Sequence, residues 1–328
     1  MSKRLTRRTA IRALGGLAAA LPATGAFAQS PWPSRTITII HGFPAGGPSD
    51  LIARILAEGL TKALGQSVIV ETKPGASGTL AAGQVARAAP DGYTLMVIPS
   101  GHASAAATYA HLSYRSVDDF TMISLAAEYP YLMCTNAASG IKTVAELVQA
   151  AKTRPTPLLF GTPGIGSGPQ LAIELFALKS GVKFQHVPYR GSAPASAELL
   201  AGRLDFMMDP PAPLIPFVRD GKLNALAVSS AKHYFALPNV PTIAESGVPG
   251  FNTTAWQGLI APAGLPDPIL RRLNAEVVRI VKDPTTIERL HTFGNEPAGS
   301  TPEEFKQRLI DDIAVWTAVA DQIHFEKI

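Results

Sequence analysis

Short β-rich runs alternate with longer helical patterns along this chain of 328 residues, and this alternation restricts its fold more than any other feature. The first series has strand patterns at 36–40, 67–70 and 93–98, separated by helix patterns at 50–64 and 80–88. Strands that alternate with helices in this way are typical of a mostly parallel sheet covered by helices. We therefore predict an α/β fold with a doubly wound parallel sheet.

A second series of the same kind begins near Leu132. Its strand and helix patterns lie at 158–160, 170–179, 184–187, 193–201, 206–208 and 225–228. A Pro/Gly-rich stretch then leads to a strand pattern at 256–260 and to amphipathic helix patterns at 269–282 and 302–319, which we expect to pack on the first unit. Because the chain is longer than one compact core usually needs, we predict two units, residues 29–131 with 253–328 and residues 132–252.

The first 28 residues have the pattern of an export signal. Five basic residues and no acid occur in the first twelve positions, a short apolar run spans 13–21, and Ala26-Phe27-Ala28, with small residues at 26 and 28, precedes Gln29. Arg7 and Arg8 resemble the pair of a twin-arginine signal, and the general secretory route is the alternative. Either route predicts that the chain from Gln29 onward works outside the cytoplasm, in the periplasm. Nothing later in the sequence is apolar for long enough to predict a membrane anchor.

Removal of this segment changes the partners that the charge favours. The complete sequence carries a formal charge of +4, but the loss of five basic residues takes Lys and Arg from 29 to 24 against 25 acids, a formal charge of −1. The electrostatic case for a nucleic-acid partner then disappears. Cys134 is the sole cysteine of the sequence, which excludes an internal disulfide and a zinc or iron–sulfur site held by several thiolates. We expect neither metal nor cofactor.

Two glycine-rich loops follow predicted strands and lead into predicted helices. One spans 41–50 and the other spans 161–169. A helix N-terminus carries unpaired N–H groups and a partial positive charge, and glycine lets a ligand approach that backbone closely. Two such ends that face one cleft would bind a small anion, and the segment around Ser192 could supply a third. The alternative is that these glycines only permit tight turns between strand and helix.

Single polar residues near strand ends give further candidates. His41 and His102 follow predicted strands, and each either reaches the cleft or is a hydrogen-bonded structural residue. Asp209 ends a predicted strand, so it either accepts a hydrogen bond from an amine or hydroxyl of a ligand or caps the turn. Asp50 is expected in the first turn of its helix, where the helix dipole favours an acid, and it is placed to pair with Arg54.

Sequence motifs of enzymes are absent from these loops. Neither loop ends in the Gly-Lys-Ser/Thr of a phosphate-binding loop, and the first lacks the glycine spacing of a dinucleotide fold. No serine lies in a Gly-x-Ser-x-Gly turn, and the seven histidines show no His-Glu-x-x-His pattern. These searches therefore give no candidate catalytic site.

Five segments together resemble a known family, the Bug-type extracytoplasmic solute receptors of tripartite tricarboxylate transporters. They are Phe43-Pro44-Ala45-Gly46-Gly47-Pro48-Ser49-Asp50, Lys73-Pro74-Gly75-Ala76-Ser77-Gly78-Thr79, Ala89-Pro90-Asp91-Gly92-Tyr93, Val187-Pro188-Tyr189-Arg190-Gly191-Ser192 and Leu237-Pro238-Asn239-Val240-Pro241. The likeness covers essentially the whole mature chain in the order of the family. It implies a two-lobed periplasmic binding protein fold of type II, with the ligand in a cleft between the lobes.

The resemblance also implies which residues bind the ligand. A carboxylate would be held between the lobes by backbone amides, hydroxyls and ordered water. The residues that match those places are Phe43, Ala45, Gly46 and Gly47 in one lobe, Gly166, Ser167 and Gly168 in the other, with Ser77, Ser100 and His102 at neighbouring lining positions. Two further candidates, Ser192 and Asp209, come from their positions after predicted strands.

The resemblance predicts a monomeric, non-enzymatic receptor that presents a small carboxylate to membrane transporter subunits. Dicarboxylates, tricarboxylates, amino acids and aromatic acids all remain open as ligands. Two alternatives are an exported cofactor-dependent enzyme that uses the same loops, and a partner that reports ligand binding to a membrane signalling protein.

Overall fold

The computed structural model describes residues 32–328, and the strands of this part form two mixed sheets. The strands are β1 Ile37–His41, β2 Val68–Thr72, β3 Thr94–Pro99, β4 Phe120–Pro130, β5 Leu132–Asn136, β6 Leu158–Thr162, β7 Phe184–Pro188, β8 Phe206–Asp209, β9 Leu223–Val228, β10 Thr254–Pro262 and β11 Glu296–Pro297. The first sheet has the order β11-β4-β10-β3-β1-β2, and the second has the order β7-β6-β8-β5-β9. The predicted α/β class is confirmed.

Helices cover these sheets and follow most of the predicted positions. They are α1 Pro48–Leu64, α2 Thr79–Val85, α3 Gly101–Thr108, α4 Val144–Thr153, α5 Gly168–Ser180, α6 Ser192–Leu200, α7 Ile215–Arg219, α8 Asp267–Val281, α9 Pro284–Thr292 and α10 Pro302–Gln322. Helix α1 ends at Gly65, whose left-handed backbone (φ 68°) closes the last turn. The sequence analysis missed α3, α4, α7 and α9, as well as strands β4 and β11.

The two sheets are mixed and not wholly parallel, because each sheet contains an antiparallel strand. Strand β1 pairs in parallel with β2 and β3, but β10 runs antiparallel to both β3 and β4. In the second sheet β5 runs antiparallel to β8 and β9. Strand β4 leads directly into the second sheet, and β10 brings the chain back from it. Strand β10 therefore lacks the helical crossover that a parallel neighbour requires, whereas β4 follows helix α3 and runs parallel to β3, with β10 between them.

The two sheets belong to one compact unit, Pro33–Ile328, and share a hydrophobic core. One cluster of buried side chains includes Ile40 and Ile98 of the first sheet and Phe160 and Phe206 of the second. Within the described residues the chain passes between the sheets twice, from β4 to β5 and from β9 to β10. The predicted boundaries of the two lobes lie in these connections and stay predictions.

Hydrogen bonds tie the two connections to each other. The Tyr131 amide donates to the Ser229 Oγ at 2.8 Å, and the Ser229 amide donates back to the Tyr131 carbonyl at 2.9 Å. The Ser229 hydroxyl in turn donates to the Thr253 carbonyl at 2.6 Å. These bonds are buried, so they hold the two chain segments at a fixed separation.

The predicted export signal at 1–28 lies outside the described residues. Among residues 32–328, no helix has the length and apolar character needed to span a membrane.

Candidate functional site

A cavity of about 340 Å³ lies between the two sheets, at the carboxyl ends of their parallel strands. The loops after β1 and β3 line it from the first sheet, and the loop after β6 and the end of β8 line it from the second. Its lining residues are Phe43, Ser77, Pro99, Ser100, Gly101, Ser104, Ala105, Tyr109, Tyr129, Tyr131, Pro163, Gly164, Ile165, Gly166, Ser167, Gly168, Pro169, Ser192, Asp209 and Pro210. This is the size of a small-ligand site.

Eight of the twelve residues proposed from the sequence line this cavity. They are Phe43, Ser77, Ser100, Gly166, Ser167, Gly168, Ser192 and Asp209. The structure does not bring Ala45, Gly46, Gly47 or His102 to the wall of the cavity. Whether any of the twelve touches a ligand stays a prediction.

His102 lies in the core of the first sheet. Its ring is stacked on Tyr114 and meets Phe120 edge-on, with both ring centroids 5.4 Å away, and its Nε2 pairs with the Ser116 carbonyl at 3.0 Å. Burial lowers the pKa of His102 to about 4, so the ring is neutral at physiological pH. These contacts favour the structural interpretation of His102 over a ligand role, because its neighbours already use the ring faces and Nε2.

The first glycine loop is closed by the helix that follows it. The Asp50 carboxylate accepts hydrogen bonds from the Gly46 amide at 2.9 Å and from the Arg54 Nε at 2.9 Å, and it pairs with His41 Nε2 at 3.1 Å. The bond from Arg54 is the largest of several causes that lower the pKa of Asp50. The pairing of Asp50 with Arg54 that the sequence predicted is present. The Gly46 amide is therefore engaged within the protein in this conformation.

The second glycine loop has the same arrangement with a neutral side chain. The Gly166 amide donates to the Gln170 Oε1 at 2.8 Å, again four residues along the chain. The Ser167 hydroxyl caps helix α5 by accepting from the Gln170 amide at 3.4 Å. Gly166 needs a left-handed backbone (φ 72°), which glycine adopts at little cost. In each loop a side chain of the following helix fixes the glycine backbone.

Gly166 also lies close to residues of the first sheet's helices. A Cβ at this position would lie 3.0 Å from the Thr108 Oγ1 and 3.1 Å from the Ile328 Cδ1. Ile328 is itself held beside α3, since its amide donates to the Thr108 carbonyl at 2.9 Å. The loop after β6 therefore meets the end of α3 with no room for a larger side chain.

Ser77 reaches the cavity from a loop with unusual backbone geometry. Ala76 and Ser77 both have left-handed φ values, 44° and 54°, although neither is glycine. Residues with a Cβ adopt this region at a cost of roughly 1–2 kcal/mol, and such strain is concentrated at functional sites. Phe43 packs against the adjacent Gly78, where an added Cβ would lie 3.1 Å from its ring.

The sequence analysis missed three tyrosines that line the cavity. Tyr129 and Tyr131 flank Pro130, where the chain leaves the first sheet, and Tyr109 follows helix α3. Burial raises the pKa of both Tyr129 and Tyr131 well above the ordinary value of 10, and the nearby Ser100 hydroxyl opposes this increase at Tyr131. A Tyr-Pro-Tyr sequence at the junction of two units was the available signal, because proline ends a strand and aromatic residues suit ligand sites.

Asp209 is the acidic side chain of the cavity wall. Among the described residues that line the cavity it alone is acidic, and Lys, Arg and His do not occur there. Its side chain is fully buried, and neither carboxylate oxygen meets a donor with normal hydrogen-bond geometry within the described protein. The turn cap considered from the sequence is therefore not formed. Burial raises its pKa to about 7, and the nearby Ser192 hydroxyl opposes this increase.

Nothing at the site indicates a metal centre. Within residues 32–328 no three or more His, Cys, Asp or Glu side chains come together as metal ligands would. Cys134 is a buried free thiol in β5, and burial raises its pKa well above the ordinary value.

A cavity between two α/β sheets, walled by their strand-end loops, is the arrangement of the periplasmic binding proteins. The solved structure titled "R. palustris Rpa4515 with adipate" is 34% identical, covers 90% of this chain and 100% of its own, and has a TM-score of 0.78. A ligand-free TctC solute-binding protein from Polaromonas is 30% identical, covers 89% of this chain and 99% of its own, and has a TM-score of 0.79. The predicted fold is confirmed.

Residues 52–325 match the family described as the tripartite tricarboxylate transporter family receptor, and the chain belongs to this family. A UPF0065 protein from the tcbD-tcbE intergenic region of Pseudomonas sp. (strain P51) is 37% identical over 295 residues, covering 89% of this chain and 88% of its own. Protein BugT of Bordetella pertussis is 31% identical over 290 residues, covering 88% and 89%. The family and its solved members are solute-binding receptors, so the resemblance and the expectation of a non-enzymatic protein are both confirmed.

Proposed function

We propose that this protein is a periplasmic receptor that binds a small carboxylate in the cavity between its two sheets. As a monomer, it presents this ligand to the membrane subunits of a tripartite tricarboxylate transporter. The family supports the receptor role, and the fold supports capture of the ligand between two lobes that close on it.

The observation that carries the proposal is the convergence of three helix N-termini on the cavity. Helix α3 begins after Ser100, α5 begins after Ser167, and α6 begins at Ser192, and all three serines line the cavity. The N-terminus of a helix attracts a carboxylate through its free N–H groups and its partial positive charge. Because no Lys or Arg of residues 32–328 lines the cavity, these helix ends and the hydroxyl groups would hold the anion without a fixed cation.

The glycine loops play a different part from the one that the sequence suggested. Since Asp50 and Gln170 accept the Gly46 and Gly166 amides, these two amides shape the loops instead of facing the cavity as free donors. Recognition then falls to Ser100, Ser167 and Ser192, to the tyrosine hydroxyls, and to ordered water. Two relatives have solved structures with adipate and with bound malate, and these support a small carboxylate as the ligand.

A thermal-shift screen against mono-, di- and tricarboxylates, amino acids and aromatic acids tests the proposal. A true ligand at 100 times its Kd stabilises the folded protein by about 2.7 kcal/mol, which is a clear shift in Tm. The matched control for each hit is the same molecule with its carboxylate replaced by a carboxamide, which removes the anion and keeps the shape. Equal shifts for acid and amide, or no shift with any acid, would contradict the proposal.

Two glycines that flank helix α5 give a pair of variants that locates the site. Gly166 precedes the N-terminus of the helix and lines the cavity, whereas Gly181 caps its C-terminus. Their φ values are 72° and 68°. Gly166→Ala and Gly181→Ala therefore introduce the same backbone strain, about 1 kcal/mol each. Gly166→Ala also brings a Cβ to 3.0 Å from the Thr108 Oγ1, whereas a Cβ at Gly181 meets nothing within 4 Å, so Gly166→Ala should be the less stable of the two. We expect both to lower the free energy of unfolding, and Gly166→Ala alone to weaken ligand binding in calorimetry. Equal affinity in both variants would place the ligand elsewhere.

Delivery to membrane subunits and export need separate measurements. Deletion of the gene should abolish uptake of the identified ligand, and a copy with residues 1–28 intact should restore it. Appearance of the protein in the osmotic-shock fraction would support the periplasmic location. Normal uptake in the deletion strain, with altered gene induction by the ligand, would instead favour the signalling alternative.

A further inference from the structure

Asp209 is placed where a receptor for simple anions would not keep a carboxylate. It ends strand β8, directly opposite Leu132 of β5, and the prolines at 210 and 211 end the strand pairing there. The side chain lies in the cavity wall with no exposed surface, and neither oxygen accepts a hydrogen bond of normal geometry from the described residues. A buried acceptor group without a donor costs free energy that a ligand can recover by supplying one.

The cavity wall carries charge of both signs. The N-termini of α3 and α5 bring partial positive charge to it, and Asp209, which lies near Ser192 at the start of α6, brings a negative charge when it is ionised. A ligand with two carboxylates would bring one of them towards Asp209, where like charges repel. A ligand with one carboxylate and one ammonium group would match both signs of charge.

We propose that Asp209 binds the ammonium group of the ligand, so that this receptor takes an amino acid in preference to a dicarboxylate of the same shape. This inference rests on the proposed function, because it assumes that the ligand's carboxylate lies at the helix N-termini. The cavity of about 340 Å³ suits a molecule of this size. Ser192, whose hydroxyl lies near Asp209, is placed to orient the carboxylate.

Calorimetry with matched ligand pairs tests this assignment. The twenty protein amino acids are titrated first, and each one that binds is compared with the acid that lacks only the ammonium group, such as L-glutamate with glutarate or L-aspartate with succinate. The same titrations are repeated with Asp209→Asn. As a control, Asp205→Asn removes an acid that lies outside the cavity, where it pairs with Arg154 at 2.7 Å.

For the wild type we expect an amino acid to bind more tightly than its matched acid. Asp209→Asn should weaken binding of that amino acid at least about 30-fold, because loss of one member of a buried charge pair is strongly unfavourable. The matched acid should bind the variant as well as or better than the wild type, since the Asn side chain can donate to a carboxylate. Asp205→Asn should change neither affinity more than about twofold.

The pH dependence in the wild type gives a second readout that needs no variant. A bound ammonium requires ionised Asp209, so the affinity for the amino acid should rise about tenfold between pH 6 and pH 8. The titratable groups that interact with Asp209 are Tyr129 on β4, Tyr131 between β4 and β5, and Cys134 on β5, and burial raises the pKa of all three well above this range. Helix α6 contributes the neutral Ser192 there. Asp209 is therefore the group expected to titrate.

Each outcome has one meaning. Binding of plain dicarboxylates but of no amino acid, or an affinity that falls from pH 6 to pH 8, would overturn the inference and indicate a protonated Asp209 that donates to a second carboxylate. Amino-acid binding that Asp209→Asn leaves unchanged would also overturn it. If no carboxylate of any kind binds the wild type, the proposed function itself fails.

Discussion

Replacement of Asp209 by Asn should make the ligand-free protein more stable at neutral pH, and the size of the effect follows from burial. The buried carboxyl has its pKa raised from the ordinary 3.8 to about 7. The folded protein therefore keeps a proton, between about pH 4 and pH 7, that the unfolded chain releases. A pKa difference of about 3 corresponds to about 4 kcal/mol, at 1.36 kcal/mol for each pH unit.

The sign follows from which state binds the proton. Because the pKa of Asp209 is higher in the folded state, its contribution to the free energy of unfolding is most favourable below pH 4 and is lost as the pH rises to 7. The amide side chain of the Asp209→Asn variant has no such proton to lose. The stability of the variant relative to the wild type should therefore increase by about 4 kcal/mol between pH 4 and pH 8, whatever constant difference the amide itself introduces.

Urea unfolding of the ligand-free proteins, followed by tryptophan fluorescence at constant ionic strength, measures this difference at each pH. Asp220→Asn, which removes an exposed carboxylate in the turn after α7, controls for the loss of one negative charge. A difference between Asp209→Asn and the wild type that stays within about 1 kcal/mol from pH 4 to pH 8 would refute the reasoning. Asp209 would then be solvated or paired in solution.

Three other substitutions test the structure away from Asp209. Trp256→Phe removes the indole N–H that donates to the Asp312 carboxylate at 2.7 Å, so urea unfolding should show a loss of about 1–3 kcal/mol, and a loss below about 0.5 would contradict that bond. Thr143→Ala removes the capping box of α4 and should cost about 1 kcal/mol, whereas Thr153→Ala at the other end of the helix should cost less. His102→Gln should lower Tm but leave ligand affinity within about twofold; a larger loss of affinity would restore His102 to the site.

The local parts of the fold followed closely from sequence patterns. The predicted helix at 302–319 is α10 Pro302–Gln322, which begins at a Thr301 capping box, and the predicted strand at 206–208 is β8 Phe206–Asp209. Such signals act within a few residues, so one sequence displays them. Helix α3 was missed because this local signal is weak there: its run of Ala, Ser and Gly has almost no amphipathic pattern.

The site could be predicted only as far as its loops. Glycines at the ends of strands indicated where a ligand would approach, and eight of the proposed residues do line the cavity. The sequence could not show that Asp50 and Gln170 engage the loop amides, because it does not reveal which donor an oxygen finds in space. For the same reason His102, which follows a strand as a ligand residue would, was not recognised as part of an aromatic core.

The sequence by itself determined most of the alternation of strands and helices, the approximate ends of the predicted helices, and the family to which the chain belongs. Tertiary structure decided that β10 runs antiparallel, that Tyr109, Tyr129 and Tyr131 line the cavity, and that Asp209 is buried without a normal hydrogen bond from the described part of the chain. The physical reason is the separation along the chain over which each interaction acts. Capping and periodicity depend on neighbours within about one helical turn, whereas burial and hydrogen bonding join residues as distant as Ser49 and Gln257, whose side chains meet at 3.0 Å.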